Sequence, residues 1–146
     1  MSLRIAIGES HSIELDPKPL FIQTRLVVQE GERYRLYACG KWKDWLTVCD
    51  AKGWTLFGMG WLRCYNRFRG ANSFALMTCV GANDKTCRLI GLQAEIAVSA
   101  ADRLLAGTDP LQLYVFANDW PCMYFNNKIA SAEEGGPLRF TVTRLA

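Results

Sequence analysis

A chain of 146 residues, half of them hydrophobic, 21% charged and +3 in net charge, has the apolar material for one folded domain over residues 1–146 and too little charge for a disordered one. Its basic residues are scattered (Arg63, Arg67, Arg69, Lys85, Arg88) rather than massed on one face, so no nucleic-acid partner is expected. No apolar run reaches the length of a membrane span and the start MSLRIAIGES lacks an apolar signal core, so the expectation is a protein that is cytoplasmic or exported without a recognisable signal peptide.

In chain order, residues 4–7 and 12–15 read as short strands, stopped by Asp16-Pro17-Lys18-Pro19. Residues 20–29, rich in β-branched and apolar side chains, meet the turn Glu30-Gly31 and then residues 33–39, a pairing that predicts a hairpin. Residues 40–53 read as a loop with a strand fragment at 46–49, residues 54–61 as an irregular edge strand broken by Gly58 and Gly60, and residues 63–72 as a solvated polar loop. A second hairpin is expected from 73–80 and 86–92, followed by an extended segment at 93–99. Ser99 with Asp102 three residues on starts a short helix that Gly107 ends. Residues 111–117 and 138–144 alternate apolar and polar with the period of a strand. Many short strands separated by turn residues argue for an all-β chain, an antiparallel β-sandwich of jelly-roll type.

The six cysteines (Cys39, Cys49, Cys64, Cys79, Cys87, Cys122) form no CxxC pair, so they do not read as a zinc site. Buried inert thiols are the common case in such apolar text. Cys79 and Cys87 flank the turn GANDK nearly symmetrically, which leaves a disulfide across the hairpin open. Catalysis is not expected. No GxSxG, GxGxxG or Walker pattern occurs, the one histidine is His11 in an expected surface turn, and no two of Asp44, Asp50, Asp84 and Asp119 share a motif.

The densest chemistry lies in QLYVFANDWPCMYFNN (112–127). A strand ends in Asn118-Asp119, Pro121 stiffens the loop, and Asn126-Asn127 follow. Asp119, Asn126 and Asn127 thus gather hard oxygen donors at one end of a sheet, as a calcium ion requires, although Asn and Asp are also ordinary turn formers. Trp42, Trp45, Trp54 and Trp61 crowd one stretch, and Trp120 follows Asp119 directly. Trp42 and Trp54 are expected in the core. Trp45, Trp61 and Trp120 fall in predicted loops, where an indole can stack on the apolar face of a sugar ring.

These residues carry a resemblance. LQLYVFANDWPCMYFNN followed by GG and LRFTV, together with YRLYACGKWKDW and ALMTCVG, resembles the PA-I galactophilic lectin family, bacterial calcium-dependent galactose-binding jelly rolls. The resemblance implies a calcium ion held by the side chains of Asp119, Asn126 and Asn127 and by the carbonyls of Met123 and Trp45. It also implies a carbohydrate (glycan) partner, bound around Asp119, Trp120, Asn126, Asn127 and Trp61, and a galactose-type or related sugar. A homo-oligomer is expected, since single shallow sugar sites gain avidity by repetition. Two departures stand out. The run IASAEE (129–134), with Glu133 and Glu134, is additional and is expected to extend a hairpin. The family's sugar-holding His and Gln have no counterpart in WLRCYNRFRGAN, where Arg63, Tyr65, Asn66 or Arg67 would have to serve. The alternative is a jelly-roll interaction domain without metal or sugar.

Overall fold

The computed structural model describes residues 1–55, 58 and 60–146. Among these residues eleven strands form a sandwich: β1 (Ser10–Glu14), β2 (Ile22–Val27), β3 (Arg33–Cys39), β4 (Trp42–Asp44), β5 (Thr47–Cys49), β6 (Leu76–Val80), β7 (Arg88–Leu89), β8 (Gln93–Ala97), β9 (Gln112–Ala117), β10 (Asn127–Ile129) and β11 (Arg139–Arg144). One sheet runs β1-β11-β3-β8 and the facing sheet β2-β9-β6-β7. A small sheet, β10-β4-β5, sits at one end. Every pairing between these strands is antiparallel. Among the described residues, no helix is long and apolar enough to cross a membrane.

Period-two alternation builds the interface between the sheets. In β3, Tyr34, Leu36 and Ala38 point inward while Arg33, Arg35 and Tyr37 face solvent. They meet Phe140 and Val142 of β11 and, from the facing sheet, Leu26, Leu76, Leu113 and Val115 in one continuous core. The helix α1 (Ala100–Ala106) forms as its sequence predicts. Ser99 and Asp102 make a reciprocal capping box, and Gly107 ends the helix in the left-handed region at φ 62°.

Four expectations are corrected. The strands at 20–29 and 33–39 are not a hairpin: β2 pairs with β9 and β3 with β11 and β8, so the turn at Glu30-Gly31 crosses between sheets. Residues 4–7 form no strand, and Leu3 alone bridges to Leu26. The loop at 40–53 contains a tight hairpin, β4-β5. His11 lies within β1 rather than in a turn, its Nε2 3.2 Å from the Thr24 carbonyl. The expected edge strand at 54–61 falls partly outside the described residues. The hairpin of β6 and β7 is present, but Cys79 and Cys87 are free thiols rather than a disulfide. Burial pushes the Cys79 thiol up to about 12, which keeps it protonated and inert.

The second sheet is covered on its outer face as well. Ala71, Ala75, Met77, Cys79 and Phe116 form a smaller apolar cluster against Phe21 and Phe68. Arg67 is drawn into this layer, which corrects the reading of 63–72 as a solvated loop. Its guanidinium lies 3.7 Å from the Phe116 ring centroid and 4.6 Å from that of Phe21. It donates to the Tyr124 hydroxyl at 2.9 Å and to Asp84 at 2.7 Å. A planar fork that stacks and donates at once has no equivalent in lysine. Arg67→Lys should therefore lower unfolding free energy by about 2 kcal/mol, read from the urea midpoint at unchanged slope.

Candidate functional site

At the end of β9 two neighbouring polar residues have opposite fates. Asn118 is fully buried and fully used. Its Oδ1 accepts from the Phe68 amide at 2.8 Å, and its Nδ2 donates to the carbonyls of Phe68 at 2.8 Å and Asn72 at 3.1 Å. It staples the loop that carries Arg67 to the sheet. Asp119 is 6% exposed and only half satisfied: Oδ1 accepts from the Trp120 amide at 2.7 Å, while the buried Oδ2 has no donor.

The loop then returns two more acceptors to the same place. After Met123 a 3₁₀ turn (Tyr124–Asn126) leads into β10. Tyr124, buried, donates its hydroxyl to the Ala117 carbonyl and pins the turn to the end of β9. Asn127 is fully buried and spends its Nδ2 on the Pro17 carbonyl at 3.1 Å, which leaves Oδ1 unpartnered. The Oδ1 of Asn126 is likewise buried and unpartnered. Such orphaned acceptors are rare because each forfeits its hydration without replacement. Asp119 and Asn126 line one cleft, and Asn127 follows Asn126 into β10.

A cleft of about 200 Å³ opens beside them, lined by Asp44, Trp45, Trp54, Leu62, Ser73, Asp119, Trp120, Met123 and Asn126. Trp45 stands at the tip of the β4-β5 hairpin, 62% exposed and at φ 51°. A bulky residue in the left-handed region costs about 1–2 kcal/mol. Trp120 packs against Tyr65 with ring centroids 5.0 Å apart. Gly53, at φ 74°, allows the opposite wall to close, because a side-chain carbon there would meet the Ser73 carbonyl at 2.2 Å. The carbonyl of Met123 accepts from the Asn126 amide at 3.3 Å and keeps a second lone pair.

Other candidates fall elsewhere. Trp61 is 65% exposed on a 3₁₀ turn (Gly60–Tyr65) and does not line the cleft, although its neighbour Leu62 does. Trp42 is in the core, edge-on to Phe74 at 5.1 Å, as expected. Trp54, half-buried, packs against the same core and also forms part of the cleft wall. Glu134 is tied to Lys43 at 3.2 Å and stays out of the cleft. Arg67 is committed to packing, so it is not a free polar group for a ligand.

The residue that sequence reasoning missed as a member of the site is Asp44. Antiparallel register sets it opposite Asn127, and its Oδ2 accepts from Trp54 Nε1 at 2.9 Å. No local motif could have signalled this, because the pairing is made across most of the chain. Asp44 and Asp119 share the cleft, although no sequence motif joins them. Among the described residues no three His, Cys, Asp or Glu side chains cluster as a metal site. Burial first, and then the nearby Asp44 charge, raise Asp119 from its ordinary 3.8 to about 6, against the pull of the Trp120 amide and the Asn127 side chain.

No protein-family model matches this sequence, and no curated protein matches it. The fold is similar to a solved structure described as "EclA N-terminal domain; PllA-like lectin", with a TM-score of 0.56 over 92% of this chain and 94% of the other, at 16% identity. The likeness shows the fold, an antiparallel β-sandwich.

Because the folded-state pKa of Asp119 lies above its unfolded value, protonation favours the folded state. That contribution is complete below about pH 4 and is lost as pH rises through about 6. The two-unit shift corresponds to roughly 3 kcal/mol. In chelator-treated protein, Asp119→Asn should remove this loss. The stability difference between variant and wild type should grow between pH 4 and 6 and stay level above, as read from urea midpoints across pH.

Proposed function

We propose that this protein is a carbohydrate-binding, lectin-like domain whose sugar site is built on one calcium ion. The observation that carries this reading is the set of three buried oxygens without donors, on Asp119, Asn126 and Asn127, at the edge of an aromatic cleft. The donor chemistry fits a hard divalent cation: one carboxylate oxygen and two amide oxygens, to which the family resemblance would add the carbonyls of Met123 and Trp45, two residues that line the cleft. The ion, when bound, supplies coordination positions for a pair of neighbouring sugar hydroxyls.

The rest is the work of the chain's own side chains. Trp45 and Trp120 offer apolar faces for stacking against a pyranose ring, and the strained hairpin tip holds Trp45 in place. Tyr65 supports Trp120 from behind. Burial of Asp119 keeps its Oδ2 desolvated and available. The lectin description of the structurally similar protein supports the sugar-binding part of this reading; the ligand proposed, on the family resemblance, is a galactose-type or related sugar. A homo-oligomer would raise the avidity of such a shallow site.

Exposed Trp45, Leu46, Trp61 and Tyr65 favour a second reading, a metal-free surface for a protein partner. Calorimetric titration with calcium chloride separates the two. The wild type should bind one equivalent, Asp119→Ala none, and glycan-array binding should vanish in chelator. A wild type that binds no calcium leaves the second reading in place.

A further inference from the structure

Asp44 and Asp119 are an uncompensated pair. Neither carboxylate is part of an ion pair among the described residues. Lys43, next to Asp44, points to the opposite face of β4 by strand alternation and is bound to Glu134. Two partly or wholly buried carboxylates with no counter-charge are unfavourable to fold around. Yet the structure fixes Asp44 deliberately. The register with Asn127 sets its backbone, Trp54 Nε1 holds Oδ2, and the residue lines the cleft. Asp119 Oδ2 and Asn127 Oδ1 are both buried and unpartnered.

We propose that Asp44 is the second anion of the site, a positioning residue whose charge completes the neutralisation of a divalent ion held by Asp119, Asn126 and Asn127. With Asp119 alone the loaded site would carry a net charge of +1; with Asp44 it carries none. The role is electrostatic and its geometry is set by Trp54. This inference rests on the calcium reading of the cleft and adds to it a residue that supplies charge rather than one of its five donor atoms.

The test is calcium chloride titration of wild type, Asp44→Asn and Asp44→Ser, each paired with urea unfolding in chelator. Asn keeps an acceptor for Trp54 Nε1, and Ser controls for an effect of the amide. Both variants should bind calcium at least about tenfold more weakly. Their calcium-free stability should equal or exceed that of the wild type, because a buried repulsion has been removed. Unchanged calcium affinity in both variants overturns the proposal. So does a loss of affinity that is matched by lost calcium-free stability, the mark of a merely structural residue. A wild type that binds no calcium overturns the reading beneath it instead.

Discussion

A desolvated oxygen that accepts no hydrogen bond is a standing cost to a fold, and this one carries three at the end of β9. Everything around them is arranged so that they cannot relax. Asn118 staples the neighbouring loop, Tyr124 pins the returning turn, and Asn127 is anchored through its nitrogen to Pro17. The strain in Trp45 and the close approach at Gly53 belong to the same construction, one at each side of the cleft. A protein selected for stability alone would have turned these oxygens outward or given them donors.

The sandwich makes this possible by being over-determined elsewhere. The core between the sheets is continuous, and the outer face of the second sheet is sealed by a layer that Arg67 locks through two ring faces and two hydrogen bonds. Arg67 also donates its backbone amide to the Asp119 carbonyl at 3.1 Å. The sealing layer and the site are therefore mechanically continuous. Tyr124 serves both as well, since its hydroxyl receives Arg67 while it fixes the turn before Asn126 and Asn127.

How much of this could be read from the chain depends on how local the cause is. The strand β9, the break at Asn118-Asp119 and the helix capped by Ser99 follow from neighbours a few residues apart, and each stands where the pattern puts it. The turn at Glu30-Gly31 has the chemistry of a hairpin but joins strands in opposite sheets, because turn residues specify a reversal and not the partner. Arg67 sits in polar text, and only the rings of Phe21, Phe116 and Tyr124, from distant segments, make it a buried residue. Asp44 is the sharpest case. Its place beside Asp119 arises from the pairing of β4 with β10, a non-local event that leaves no periodicity in either strand.

The central claim is that the three orphaned oxygens are the inner lining of a cation site. Crystals grown with calcium chloride, and examined by anomalous diffraction at a wavelength where calcium scatters strongly, test it directly. The account predicts a single peak in contact with Asp119 Oδ2 and the side-chain oxygens of Asn126 and Asn127. A cleft that holds only water at saturating calcium, with those oxygens bonded to it, would contradict it.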